Sequence, residues 1–384
     1  MATKTAISKT MDFRRAFTDL NANFAMNEIT RQVEINGNLF ERYRESEFMC
    51  HMREKGALKE NVILREIDYA AYENRYHPIK RYLNSLAYDG KDYIGKLCSF
   101  FQSDQYFEIW LRRWLIMAIA RVVNNAQCPV LILDGPQNCG KSKFVQWLCS
   151  SPMVKEYFTE GQINPDSKDT RIRATQKWIW EVPEFGATAR KADVEMLKGF
   201  ITLGEVTERA AYQKTDEKRP MLACFIGTIN NGNAGFLSDP SGNRRFLITH
   251  IESIDWRGYT EELSPEDVWG QAYSDYLIGE PFELTDYERQ LSAQNNERYQ
   301  AQDPLLAILE NLYDFTGSNS DFVPTSELIQ ELQASGFKAG NTNSLSKQIS
   351  NTLIGLGLTK ERRRSPISNV KNPVMGFTGL RKIP

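Results

Sequence analysis

The chain has 384 residues, 41% hydrophobic and 25% charged, with a formal net charge of −2; this is the balance of a soluble globular protein of two or three domains, not of one coated in nucleic acid. Six cysteines (Cys50, Cys98, Cys128, Cys139, Cys149, Cys224) without a C-x-x-C pair, and three scattered histidines (His51, His77, His250), argue against a zinc site or a disulfide framework and for a reducing cytoplasm. Neither a signal-peptide stretch nor a run of about 18 apolar residues occurs, so no membrane partner is expected.

Residues 1–75 mix short apolar runs with charges, including Val33-Glu34-Ile35 before the turn-like Asn36-Gly37, and predict a small N-terminal domain. Tyr76-His77-Pro78 breaks that pattern. A helical collar is predicted over 76–127, with short helices around Asp89-Gly90. A long buried helix then runs from Asp104 to Asn125, its apolar positions Tyr106, Ile109, Trp110, Trp114, Met117, Ile119 and Val122 at helical spacing. Over 128–285 the continuous apolar runs Val130–Leu133, Trp178–Trp180, Leu222–Ile226 and Phe246–Ile248 read as buried strands. Their alternation with helices predicts an α/β fold around a mostly parallel sheet. Residues 286–303, polar and poor in apolar side chains, read as a linker. Over 304–384 three helices (Pro304–Tyr313, Pro324–Gln333, Thr342–Leu356) precede two strands near Leu358–Arg364 and Val374–Lys382, a winged-helix pattern.

The motif with the clearest chemistry is Gly135-Pro136-Gln137-Asn138-Cys139-Gly140-Lys141-Ser142, which matches G-x-x-x-x-G-K-[ST] between a strand and the helix that begins near Lys143. Glycines at both ends let backbone N–H groups turn inward around phosphates, and the helix N-terminus adds partial positive charge. Lys141 is expected to reach the β- and γ-phosphates of ATP and Ser142 to hold Mg²⁺. The strand Trp178-Ile179-Trp180 runs into Glu181 and, three residues on, Glu184; one carboxylate would serve the metal and the other the attacking water, and their order is open. Asn230, with Thr228 second, closes another strand and is the candidate for orienting that water. Arg244 and Arg245 form an adjacent pair before a strand, as needed for an arginine that stabilises a transferring phosphoryl group, often from a neighbouring subunit.

Two segments suit nucleic-acid backbones. Thr207–Pro220 carries Arg209, Lys214, Lys218 and Arg219 with Tyr212 among them. The C-terminal segment holds Lys347, Lys360, Arg362, Arg363 and Arg364; from Thr359 onward, seven basic residues face one acidic residue, a local charge of 7 − 1 = +6.

These motifs together resemble the virulence-associated protein E family, primase–helicase-type ATPases of phages and mobile elements related to the superfamily 3 helicases. The resemblance spans about residues 76–250. It rests on Y-H-P-I-K-R-Y-L from Tyr76, L-D-G-P-Q-N-C-G-K-S from Leu133, W-I-W-E-V-P-E from Trp178, L-K-G-F-I-T from Leu197, F-I-G-T-I-N from Phe225 and G-N-R-R-F from Gly242. It implies a P-loop ATPase core of the AAA+ type that forms a ring, expected to be a hexamer, and threads single-stranded DNA. Lys141 and Ser142 then take the Walker A roles, Glu181 and Glu184 the Walker B roles and Asn230 that of sensor 1. Arg244 or Arg245 supplies the finger, and Thr207–Arg219 the pore hairpin. Family members typically carry another glycine where Asn138 or Cys139 stands. About 75 residues precede the shared region, too few for a primase domain, so a separate primase or polymerase is the expected partner. The expected function is an ATP-driven helicase acting on single-stranded or forked DNA in replication. The alternatives are an initiator or loader ATPase and, more remotely, a small-molecule kinase, which leaves the basic C-terminus unexplained.

Overall fold

The computed structural model describes residues 12–56, 59–186, 188, 194–208, 217–230, 235, 237, 244–300, 304–337, 341–363 and 373–383. The chain divides into two compact units, Met1–Gln300 and Ala301–Pro384. Among the described residues no helix is long and apolar enough to cross a membrane.

The first unit is a mixed α/β structure around a parallel-rich six-stranded sheet. In chain order its strands are β1 (Phe101–Ser103), β2 (Val130–Gly135), β3 (Phe158–Glu160), β4 (Ile179–Val182), β5 (Cys224–Asn230) and β6 (Phe246–Ile254), and in space they run β1-β6-β2-β5-β4-β3. Every neighbouring pair is parallel except β1 with β6. The four continuous apolar runs of the sequence become four of these strands, and β2 and β4 are buried at every position. That is the signature of strands covered on both faces. Alternation sorts their side chains: Leu131 and Leu133 enter one core with Trp110, Trp114 and Phe144, and Val130 and Ile132 enter another with Leu197, Phe200 and Phe225. The long helix Phe107–Asn124 packs in the first core and ends on Asn125 in the left-handed conformation (φ +55°).

The N-terminal part builds a smaller core from Phe17, Phe24, Phe48, Met52, Ile63 and Ile67. Its strands Phe24–Met26, Val33–Ile35 and Asn38–Leu39 form an antiparallel sheet. The last two are joined by Asn36 and Gly37, both at positive φ, the signature of a tight hairpin turn.

Residues 286–303 are not a free linker where they are described. Asp286–Glu297 is a helix opened by a capping box between Thr285 and Glu288, and its polar stripe is buried. β1 pairs only with the far half of β6, Ile251 to Ile254, so the carbonyls of the near half need other donors. Asn295 Nδ2 donates to Ile248 O (2.6 Å) and Asn296 Nδ2 to Phe246 O (3.0 Å), while Glu288 pairs with Arg113 (2.9 Å). The asparagines cover an open sheet edge.

In the second unit, helices Pro304–Leu312, Thr325–Ala334 and Thr342–Gly355 surround a core of Leu309, Leu328, Leu332, Ile349, Leu353 and Phe377. A three-stranded antiparallel sheet, Phe322–Pro324, Val374–Thr378 and Lys360–Arg363 in spatial order, packs with them.

Candidate functional site

The glycine-rich loop leaves β2 in the middle of the sheet, between β6 and β5. A Cβ at Gly135 would stand 2.0 Å from Ile251 O, so only glycine lets the chain turn off β2 this close to β6. Gly140 (φ +107°) and Asn138 (φ +63°) are both left-handed. Asparagine is among the few side chains that tolerate this region, so Asn138 does conformationally what a further glycine would do.

Lys141 opens the helix Lys141–Leu148, and its side chain folds back into the loop. Nζ donates to Gly135 O (2.8 Å) and Pro136 O (2.7 Å), with Cys139 Sγ at 3.7 Å. The ammonium thus occupies the loop's interior, on neutral acceptors that an anion would outcompete.

Glu181 lies on β4, level with Ile226 of β5 and Glu160 of β3. It is wholly buried, and neither carboxylate oxygen has a hydrogen-bond partner. Burial pushes its carboxyl above the ordinary value; the adjacent Ser142 hydroxyl opposes the shift without reaching hydrogen-bonding geometry, and the Glu160 carboxylate adds to it. Glu184 is exposed and holds φ +49°, a conformation that costs a non-glycine residue on the order of 1 kcal/mol.

A cavity of about 440 Å³ gathers most of the expected residues: Lys141, Ser142, Lys143, Glu184, Thr228 and Asn230 line it, with Gln137, Asn138, Gly140 and Pro183. Glu181 lies outside that lining. The cavity also holds Trp256, which the sequence motifs did not single out. Behind the loop, Asp134 accepts from the Tyr299 hydroxyl (3.1 Å) and meets His250 Nδ1 (3.2 Å), fastening β2 to β6.

Arg244 and Arg245 do not join this group. They precede β6, whose Phe246 is level with Val130 at the start of β2. The loop begins five residues further along, about 17 Å away at strand rise. Both arginines line a different cavity of about 610 Å³, with Arg289, Glu283 and Phe282, and Arg245 Nε is buried without a hydrogen-bond partner.

The basic segment after Thr207 is a hairpin stem: Glu205–Glu208 pairs with Glu217–Pro220, setting Thr207 opposite Lys218 and Val206 opposite Arg219. Lys218 is exposed, whereas Arg219 pairs with Glu217 (2.8 Å). Arg209, Tyr212 and Lys214 lie outside the described residues, as does Arg364. In the second unit Lys347 and Arg362 are exposed. Lys360 instead donates to Ser350 Oγ (2.7 Å), and Arg363 pairs with Glu361 (2.6 Å) and donates to Asn319 O. Arg381 and Lys382 pair with Asp314 and Glu331. Much of the +6 is therefore engaged within the unit. Among the described residues no three His, Cys, Asp or Glu side chains cluster to cage a metal.

Solved structures that match along nearly the whole chain include two of the NrS-1 C-terminal region. The A-form apo structure of the NrS-1 C-terminal region (305–718) is 14% identical, with a TM-score of 0.55 over 95% of this chain and 98% of that one. A second A-form apo structure of the NrS-1 C-terminal region is 12% identical, with a TM-score of 0.54 over 96% and 99%. At these identities the likeness speaks for the fold. No curated protein matches the chain. The family model of the virulence-associated protein E-like domain matches residues 83–301, more than half the chain and all six strands of the central sheet. The chain therefore belongs to the virulence-associated protein E-like domain family.

Proposed function

We propose that this protein is a P-loop ATPase that works as a ring-forming DNA helicase in replication. The observation that carries the reading is what three neighbouring parallel strands bring to the loop, with Thr228 and Asn230 lining its cavity and Glu181 lying beside Ser142. β2 delivers the loop with Lys141 and Ser142, β4 an unpaired buried carboxylate at Glu181, and β5 Thr228 and Asn230. The winged-helix reading of the second unit and its exposed Lys347 and Arg362 supply the link to DNA.

The residues suit MgATP. An orphaned carboxylate beside a hydroxyl matches the habit of Mg²⁺, which keeps most of its waters and takes few protein ligands; Ser142 and Glu181 would hold it. When bound, the metal supplies charge neutralisation at the phosphate oxygens. Lys141 exchanges two loop carbonyls for phosphate oxygens. Glu184, which lines the same cavity, would take the proton of the attacking water, and Asn230 would orient that water. Arg244 and Arg245, at the other end of the sheet, serve as the finger only for a second copy's site. That requirement favours assembly into a ring, with hexamer as the expected form.

The test is ATP hydrolysis with and without single-stranded DNA, together with strand displacement on a forked duplex. Lys141→Ala should remove at least about 10²-fold of the hydrolysis while the chain stays folded. Mixing Arg245→Ala or Arg244→Ala subunits with Glu181→Gln subunits should restore part of it. Full activity in Lys141→Ala sinks the reading, and no recovery at any mixing ratio sinks the shared site. DNA-stimulated hydrolysis without displacement would identify a loader instead.

A further inference from the structure

We infer that Trp256 is the nucleobase platform of this site, stacking the base of the bound nucleoside triphosphate; the inference rests on the proposed nucleotide reading. It begins with β6, the longest strand of the sheet. β6 stays in register with β2 as far as His250 opposite Asp134, then runs on past the loop to Ile254. Both loop glycines face that extension: a Cβ at Gly135 would meet Ile251 O at 2.0 Å, and one at Gly140 would meet Cβ of Ile254 at 3.5 Å. Trp256 follows two residues later, so the backbone delivers it to the mouth of the loop.

Its support is rigid. Trp256 opens the helix Trp256–Glu262, whose N-cap Asp255 accepts from Gly258 N–H (3.0 Å) and donates its own N–H to Phe100 O (2.9 Å). Tyr259, one turn on, is buried against the rings of Phe101, Phe144 and Trp147. A side chain on an anchored helix start is pre-organised for binding.

The indole itself has little structural reason to be there. Trp110, Trp114, Trp178, Trp180 and Trp269 are at most 1% exposed, whereas Trp256 is 38% exposed. It is the one aromatic among the described residues lining the cavity that holds Lys141, Ser142 and Asn230. Lys143 Nζ sits 3.9 Å from its ring centroid and the Arg257 guanidinium at 5.3 Å. Such cation–π contacts at an exposed ring are weak enough for a stacking base to replace. Lys143, released, then has phosphate oxygens in the same cavity as partners. A triphosphate gripped by Lys141 thus has an aromatic surface beside it for the other end of the molecule. Every base has a π-face, so the platform favours larger purines over pyrimidines modestly and discriminates little between adenine and guanine.

The experiment uses the full chain as wild type, Trp256→Ala and Trp256→Phe. It measures KM and kcat for MgATP, inhibition by inorganic tripolyphosphate, which has the phosphates and no base, and the oligomeric state. Trp256→Ala should raise KM for ATP about tenfold, with a smaller change in kcat, and leave tripolyphosphate inhibition where it was. Trp256→Phe should recover most of the loss. Unchanged KM in Trp256→Ala overturns the assignment. So does an equal weakening of ATP and tripolyphosphate, which would mean that Trp256 acts by shaping the loop, or a change of assembly that accompanies the rise in KM. A wild-type chain that binds neither ligand overturns the nucleotide reading and this one with it, whereas a base-independent ATP affinity overturns this one alone.

Discussion

At the scale of single residues, the tension in the site is the carboxylate of Glu181. It is buried, lacks a hydrogen-bond partner and has a carboxyl raised above its ordinary value of 4.5, with burial as the leading cause. A raised folded value means that the folded chain holds its proton more tightly than the unfolded chain. Stability from this group is therefore full below pH 4.5 and falls as pH rises through the folded value. Ionising this buried side chain is a cost that grows as pH rises, and Glu181→Gln removes it. The metal-free, nucleotide-free variant should melt a few degrees above wild type at pH 7, about 1 kcal/mol of relief, with the gap closing toward pH 4. In MgATP the order should reverse, because only wild type gains the full ligand stabilisation. Thermal melts at both pH values, with and without MgATP, check this; a variant no more stable than wild type at pH 7 would show that the buried charge is already compensated.

At the scale of elements, what was legible in the sequence depended on whether a motif stands alone or needs its neighbours. The buried strands announce themselves as apolar runs, and the loop at 135–142 announces itself by spacing. The helix Asp286–Glu297 does not, because its buried stripe is polar and its partner is the open edge of β6, a surface that exists only after the sheet has formed. Trp256 was illegible for the same reason: its place beside the loop follows from strand register, which no local pattern encodes. The separation of Arg244 and Arg245 from the loop is likewise a matter of register. His77 shows a local signal that chain breaking disguised. Beside Pro78, it reads as an interruption, yet it is the N-cap of the helix Pro78–Ser85, its Nδ1 accepting from Lys80 N–H (3.3 Å). Burial first, and the Lys80 charge second, lower its pKa from 6.5 to about 4. The unfolded chain takes up the proton at higher pH than the folded one, so stability should fall as pH drops from about 6.5 to about 4, where protonation removes the acceptor. His77→Asn keeps a capping acceptor without the titration, and its melting temperature should vary less with pH across that window. An unaltered slope in the variant would assign the acid sensitivity to other groups.

At the scale of the whole molecule, the chain divides into two compact units, Met1–Gln300 and Ala301–Pro384. The second has a contiguous core of its own, in which Leu309, Leu328, Ile349 and Phe377 are buried, and its sheet closes among its own strands. A fragment spanning 301–384 should therefore fold independently and give a dispersed amide spectrum. If it is the DNA-binding part, its affinity should fall steeply with salt, because each phosphate contact releases counterions. Its basic residues should not contribute equally. Lys347 and Arg362 project to solvent, so Lys347→Ala and Arg362→Ala should each lower the slope of log affinity against log salt by about 1. Lys360 is spent on Ser350 and lies near the Phe377 ring (5.7 Å), and Arg363 on Glu361 and Asn319. Lys360→Ala should accordingly lower the fragment's melting temperature more than its salt slope. Titrations of fluorescent single-stranded DNA at several salt concentrations, paired with thermal melts of the same variants, separate the two kinds of lysine. If Lys360→Ala flattens the salt slope and leaves the melt untouched, the internal contacts yield to DNA and the binding face extends across the strand Lys360–Arg363.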